Sequence, residues 1–323
     1  MFFKKKKIVF NFSKKNFCLF YDYLPRFDNL IKSNYEKINF RSEINFIVLV
    51  CSLFFIFQNK FNIKISYINS YIFLVRPKVV ITFTDNDILF YKLKENNQNI
   101  QFISFQNGTR SISGDIFSIV DIKDKLSCDK IFVHNTYIAD LYKHYIKSET
   151  IISGSLMNNF YTKKNKKKVF DITFISQFDS KRNFNFLNRE NLKIEWEQYY
   201  SAEKKILEIL KKISLEKGLV INICARFKER NKEEYNFYEK ILKKNFTFSI
   251  SNKNETQYDI CDQSELVVFI DSTLGYENIS RGNKTVGLSI RGEIINDKSF
   301  NFGWPKTMKS NGPSWISYYD HLL

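Results

Sequence analysis

Metal-binding side chains are scarce in this chain, and their scarcity closes off several chemistries. Only 3 of its 323 residues are His, and the five cysteines, Cys18, Cys51, Cys128, Cys224 and Cys261, are scattered with no CxxC and no Cys/His pairing. A zinc site has no framework here. The odd number and apolar neighbours of the cysteines fit small buried side chains in a reducing compartment. Long apolar runs are missing too. The most hydrophobic segment, Ile44 to Phe57, includes Asn45 and Ser52 and falls short of the roughly 20 residues that a membrane span needs. It reads as a buried helix or, alternatively, as a helix that touches a membrane. The apolar stretch after Lys4 to Lys7 is short and interrupted by Asn11, Ser13, Lys14 and Lys15, which argues against a signal peptide. Glycine is sparse, at 10 residues, beside 33 Phe and an excess of Lys, Asn and Ile. That bias matches low-GC codon usage, so the net charge of +16 is discounted as a sign of nucleic-acid binding.

What is present fits a soluble globular protein: 44% hydrophobic and 26% charged residues, with length enough for two ordinary domains. Two lysine-rich runs, Lys4 to Lys7 and Lys163 to Lys168, read as solvated faces or linkers. Their functional alternative is attraction to an anionic membrane leaflet or to phosphorylated substrates.

Short apolar runs alternate with helical periodicities along the chain. Ile8–Phe12, Val79–Phe83, Gln101–Phe105 and Lys130–His134 read as strands, and 44–57, 63–75, 88–93 and 136–146 as helices, with 21–38 mixed and a short helix opening at Pro25. After Lys163–Lys168, read as an interdomain linker, the pattern restarts. Strands are expected at 171–176, 219–224, 246–250, 266–270 and 285–288. Helices are expected at 197–217, stopped by Gly218, and at 235–244, 258–264 and from 272. Two such series predict two doubly wound α/β domains facing a cleft, at residues 1–165 and 166–323.

Polar residues cluster at strand exits, where open α/β sheets place ligands. The first series offers Asp85 and Asn86, which also suit a plain turn, then Gln106, Asn107, Gly108 and Arg110. His134 ends a strand and could serve as a general base, a phosphate partner or a structural histidine. Gly154, Ser155 and Asn158 follow, and the second series adds Ser176, Gln177 and Arg226.

The densest stretch is 265–289. Its first apolar run has the unbroken character of a strand buried on both faces. Ser272 and Thr273 then stand where a helix begins. Their hydroxyls can cap backbone N–H groups, and the helix start favours an anion such as phosphate. Glu277 lies about one turn further on, placed to accept hydrogen bonds from the hydroxyls of a ribose, or else to be a solvated helix residue.

Taken together, Asp85-Asn86, the QNGTR of 106–110, Gly154-Ser155 with Asn158-Asn159, the ISQF of 175–178, the DSTLGYE of 271–277, and the FGWP of 302–305 with Gly312 and Trp315 resemble a bacterial family. Its members are O-antigen and surface carbohydrate biosynthesis proteins related to GT-B glycosyltransferases. The resemblance runs from about Val79 to Trp315. It implies two Rossmann-like domains, the acceptor held mainly by the first and a nucleotide-sugar donor mainly by the second. Glu277 then takes the ribose role, with Gly282 and Lys284 in the loop beside it. GT-B chains commonly end in a helix that returns to the first domain, and none is read before Leu323.

Glycosyl transfer needs a base near the acceptor and positive charge or N–H groups at the departing phosphate. Asp85 is the preferred base, with Asn86 and His134 beside it as catalytic candidates. Arg226, Lys228, Arg281 and the start of the helix at Ser272-Thr273 are candidates for the phosphate. No DxD motif accompanies the donor stretch, so no metal and no cofactor beyond the nucleotide-sugar substrate is expected. The expected partners are that donor, a lipid-linked or oligosaccharide acceptor and an anionic membrane surface at the inner face of the inner membrane. Two rivals remain: a nucleotide-sugar epimerase of the same architecture, and a nucleic-acid-binding protein that is no enzyme.

Overall fold

The structure is a computed structural model that describes residues 6–11, 15–22, 34–38, 43–57, 62–110, 116–120, 126–163, 166–182, 194–228, 230–243, 245–288, 290–295 and 315–317. The chain divides into two compact units, one of residues 1–108 with 115–156 and one of residues 109–114 with 157–323.

The first unit opens with β1 (Lys7–Val9), β2 (Cys18–Tyr21), β3 (Tyr35–Lys37) and β4 (Glu43–Asn45), followed by α1 (Phe46–Phe55) and α2 (Ile63–Val75). Strands and helices then alternate: β5 (Val79–Thr82), α3 (Ile88–Asn96), β6 (Gln101–Phe105), α4 (Ile116–Ile119), β7 (Ser127–Val133), α5 (Thr136–Tyr145) and β8 (Lys147–Ile152). Side chains set the helix starts. Asn45, Asn62, Asp87 and Asn135 each accept a backbone N–H from the first turn of α1, α2, α3 and α5, which satisfies donors that the helix itself leaves open. Six strands form one parallel sheet in the order β3-β2-β5-β6-β7-β8. The order reverses between β2 and β5. A small parallel pair, β1 with β4, stands apart.

The second unit takes α6 (Leu156–Phe160) from its second residue on, then β9 (Phe170–Ile175), α7 (Trp196–Lys217), β10 (Ile221–Cys224), α8 (Asn231–Leu242) and β11 (Thr247–Ser249). It continues with α9 (Gln257–Asp262), β12 (Ser264–Phe269), α10 (Thr273–Ser280), β13 (Thr285–Leu288), α11 (Arg291–Ile295) and β14 (Trp315–Ser317). Its parallel sheet has the order β11-β10-β9-β12-β13-β14. Numbered from β9, this is 3-2-1-4-5-6, the order of dinucleotide-binding folds, and it reverses between β9 and β12. Gly218 ends α7 at φ 65°, a left-handed conformation in which a side chain is disfavoured.

The α/β class with two parallel sheets is the one the sequence predicts. Several local expectations are corrected. The segment 44–57 is not one helix, because Glu43–Asn45 pairs with β1 before Asn45 caps α1. The 21–38 segment holds β3, and β2 lies just ahead of it; both are too short to declare themselves by apolar pattern. The short helix opening at Pro25, the FGWP stretch and Gly312 lie outside the described residues. The described lysines of the run Lys163–Lys168, though exposed at 163, 167 and 168, are not free of the second unit. Lys163 donates to the Arg281 carbonyl (2.9 Å), Lys166 pairs with Asp259 (3.1 Å), and Lys168 donates to the carbonyls of Asp262 and Ser264 (3.1 and 2.7 Å). These lysines bind the segment to the second unit.

Candidate functional site

In an open α/β sheet, the strand exits on either side of an order reversal splay apart and leave a crevice for a ligand. In the second unit these are the exits of β9 and β12, and they carry Ser176-Gln177 and Asp271-Ser272-Thr273.

Helix α10 starts at this crevice. Its N-cap, Ser272, makes no side-chain bond to the helix, which corrects the expected hydroxyl cap and leaves backbone N–H groups at the start without that partner. The Thr273 hydroxyl instead accepts the N–H of Thr109, at 3.1 Å, within the same unit. Behind the helix, Gly275 lies against the Phe269 ring, and a Cβ there would stand 2.1 Å from a ring carbon. Glycine is what lets α10 approach β12 so closely. Gly275→Ala is expected to destabilise the protein by about 1–3 kcal/mol through overpacking, visible as a lower denaturation midpoint; an unchanged midpoint would show that the ring shifts without strain.

Glu277 is not a solvated residue. It is 7% exposed, and its Oε2 accepts the Tyr258 hydroxyl at 2.7 Å. Burial, and then the Glu277 charge and this bond, raise the Tyr258 pKa well above that of an ordinary tyrosine. Tyr258 is therefore a protonated donor that fixes the carboxylate's direction. Below it, Arg281 grips Asp262 with two nitrogens (3.2 and 2.5 Å) and donates to Asn158 Oδ1 and the Tyr161 carbonyl (3.0 and 2.5 Å). This corrects two expectations. Arg281 is held in a buried ion pair and is unavailable to a phosphate, and Asn158, which also donates to Ser280, braces that pair in the second unit instead of lining an acceptor site. Gly282 turns the chain at φ 72°, and Lys284 beside it is exposed.

Around the exit of β9, Ser176 is buried, with its hydroxyl accepting from Tyr238 (2.7 Å) and from the Phe178 N–H (3.2 Å). It is a core bridge and not a ligand contact. Gln177 is half-buried; its carbonyl accepts from Arg226 and its Oε1 from Arg291. Arg226 is exposed, and the buried Glu234 carboxylate holds its backbone N–H at 2.8 Å.

A charged cluster that the sequence reading missed lies under this crevice. Arg291, 1% exposed, contacts Asp271 (3.3 Å), Glu203 (4.0 Å) and the Tyr199 carbonyl, and it stacks on the Tyr199 ring at 3.7 Å. Arg182 approaches the same ring at 4.5 Å. Burial first, and then Asp271, push the Glu203 carboxyl up to about 7 against the pull of Arg291. One signal was available: Glu203 falls on the buried stripe of α7, between Tyr199 and Ile206. An acid at such a position needs a cation nearby.

The carboxyl edge of the first sheet holds the remaining candidates. Asp85 is fully buried. Its Oδ1 accepts the Asn107 N–H (3.1 Å), its Oδ2 the Tyr142 hydroxyl (2.5 Å), and its carbonyl the Tyr91 hydroxyl (2.5 Å). A carboxylate so enclosed cannot reach an acceptor hydroxyl, so the expected base is corrected to a residue that ties the exits of β5 and β6 to α5. Gln106 bridges in the same way, accepting the His134 N–H (2.8 Å) and donating to the Gly108 carbonyl (2.7 Å). Asn86 is exposed, His134 is half-buried, and Gly154 stands at φ 70° ahead of the half-buried Ser155. Arg110, grouped with the second unit, is buried and donates to the Thr109 carbonyl. Among the described residues no group of three or more His, Cys, Asp or Glu could hold a metal ion, and no helix is long and apolar enough to cross a membrane.

The sequence model of one protein family, described as "putative O-antigen biosynthesis protein", matches residues 102–322. No protein of curated function matches the chain in sequence. Among solved structures, S. aureus MnaA in its co-structure with UDP is similar at a TM-score of 0.50 and 14% identity, covering 89% of this chain and 81% of that one. A glycosyltransferase from Rickettsia africae ESF-5 gives 0.49 and 12%, covering 93% and 75%. The UDP-GlcNAc 2-epimerase of Methanocaldococcus jannaschii gives 0.48 and 11%, covering 93% and 88%. At these identities the likeness is one of fold.

Proposed function

This chain belongs to the O-antigen biosynthesis protein family, and from that premise we propose that it is a glycosyltransferase, moving a sugar from a nucleotide-sugar donor to a surface-polysaccharide acceptor. The observation that carries the reading is the start of α10 at the order reversal between β9 and β12, with a buried, oriented carboxylate one turn further on. MnaA, similar in fold, has been solved with UDP, which supports a nucleotide as the ligand.

In this proposal the first N–H groups of α10 and the Ser272 hydroxyl receive the diphosphate, and the exposed Arg226 adds positive charge. The expected role of Lys284 is corrected, because it precedes β13, level with Leu266 at the amino end of β12 and away from the start of α10. Glu277 accepts hydrogen bonds from the ribose. A carboxylate has about four acceptor positions, and the bond from Tyr258 takes one of them and orients the group. Gln177, fixed by Arg291 and Arg226, lines the β9 side. The acceptor oxygen attacks the anomeric carbon while the bond to the diphosphate breaks, and the nucleoside diphosphate departs with the electron pair. On the first unit by itself, with Asp85 enclosed, we assign the acceptor proton to His134 and the acceptor contacts to Asn86, Asn107 and Ser155. We place the reaction at the inner face of the inner membrane, where lipid-linked acceptors are made.

Calorimetric titration tests this reading. A nucleoside diphosphate at a hundredfold excess over its Kd is expected to stabilise the protein by about 2.7 kcal/mol, and duplex DNA is expected not to. Glu277→Gln keeps an acceptor for Tyr258 and removes the charge, and it is expected to weaken the nucleotide by about 1.5–3 kcal/mol, the range of bonds to a charged group. Unchanged affinity in the variant, or stabilisation by DNA alone, would sink the proposal.

A further inference from the structure

Helix α1 is turned the wrong way for a protein in water. Its apolar residues Phe46, Val50, Leu53 and Phe54, together with Phe57 just past its end, follow the spacing of one helical face, yet they are 43, 44, 61, 80 and 75% exposed. The face directed inward carries Val48 and Ser52, and Ser52 is polar. A helix that is apolar all round belongs in a core or in lipid. At 10 residues α1 is about 15 Å long, half of a bilayer's hydrocarbon thickness. The apolar surface continues beyond it. The Phe10 ring lies against Phe46 at 5.3 Å, and the Phe55 ring against Phe73, itself 57% exposed, at 5.8 Å.

Helix α2 runs beside α1 in the same sense, with Tyr67 bonded to the backbone of Asn45 at the start of α1 and Phe73 at its end. Where the two helices finish, a cavity of about 650 Å³ opens at the amino ends of β5 and β6, within the range of about 300–1,000 Å³ usual for ligand sites. It lies at the opposite end of the sheet from Asp85, Gln106 and His134. Arg76 and Lys78 line it with Asn69, Asn96 and Asn99, and no carboxylate does. From Ile44 to Thr84 the chain has no Asp or Glu at all. Arg76 holds φ at 50° in the left-handed region, as the C-cap of α2, where glycine is the easy choice. Keeping a long cation there works against backbone preference.

We propose that this face docks on an anionic phospholipid bilayer, with Val50, Leu53, Phe54, Phe57 and Phe73 among the acyl chains and a lipid phosphate held at Arg76, Lys78 and the asparagines of the cavity. Charge complementarity selects this occupant. A second copy of a chain with net charge +16 would bring no excess of carboxylate to the cations Arg76 and Lys78, whose cavity has none of its own. The inference deepens the proposed location and rests on it, but it involves no sugar chemistry. Its test therefore omits nucleotide, and failure here leaves the donor site untouched.

The full chain is sedimented with vesicles of phosphatidylcholine alone and of equal parts phosphatidylcholine and phosphatidylglycerol. Binding is expected to the anionic vesicles only and to weaken with salt. Leu53→Ser with Phe54→Ser, both at exposed positions, is expected to reduce binding at least about tenfold while keeping the melting temperature. Arg76→Gly relieves the left-handed residue and so retains the fold, and it is expected to reduce anionic binding about fivefold, the effect of one cation near such a surface. Equal binding to both vesicles, no binding to either, or variants that bind as well as the wild type would overturn the proposal. So would a concentration-dependent dimer that the serine variant abolishes, because the face would then belong to a second copy.

Discussion

Replacing Arg281 with alanine is expected to destabilise the protein by about 3–5 kcal/mol, the usual effect of removing one partner from a buried ion pair. The side chains of Arg281 and Asp262 are only 4% and 1% exposed. Without the guanidinium, Asp262 keeps one side-chain donor, the Asn283 amide at 2.9 Å, and its buried carboxylate loses its ion-pair partner. Asn158 Oδ1 and the Tyr161 carbonyl lose their donor as well. Urea denaturation measures the loss. Arg281→Leu with Asp262→Leu is expected to recover most of it, since replacing a whole buried pair by apolar residues is often close to neutral. A loss below about 1 kcal/mol for the single alanine variant, the level of an exposed pair, would mean that water reaches the site.

The second large effect is a dependence on pH. Glu203 is fully buried, and its carboxyl is raised to about 7, above the 4.5 of an ordinary glutamate, by burial first and by Asp271. Because the folded state binds this proton more tightly than the unfolded chain, the stabilisation it brings is complete below about pH 4.5 and is lost as pH rises through about 7. A difference of that size amounts to about 3 kcal/mol. Glu203→Gln mimics the protonated form, so its stability relative to wild type is expected to climb by about that amount between about pH 4.5 and 8. Titrating groups remote from Glu203 act on both proteins alike and cancel in the comparison. A difference that stays flat over this window would show that Arg291 keeps Glu203 charged at every pH.

Both effects arise from residues whose sequence setting is ordinary. Arg281 follows a short helix and reads as a surface cation near a phosphate site; only the folding of α9 beside α10 brings Asp262 to it. Asp85 at a strand exit suits a base as well as a brace, and the choice was made by Tyr142 and Asn107, which come from α5 and from the segment after β6. Glu277 shows the converse. Its place one turn into α10 was legible, while its burial against Tyr258 was not, because that partner arrives from another helix.

By itself the sequence determined what is local: apolar runs long enough to be strands, Gly218 as a stop, and the strand-turn-helix at Ser272-Thr273. These features depend on neighbours a few residues away, so a linear reading reaches them. Tertiary structure alone decided the order of the strands, and with it the reversal between β9 and β12 that makes one exit a candidate site among many. It also decided which polar side chains became internal braces and that α1 presents its more apolar face outward. Pairing between strands and burial of a side chain are set by segments far apart in the chain, and no local pattern encodes the partner.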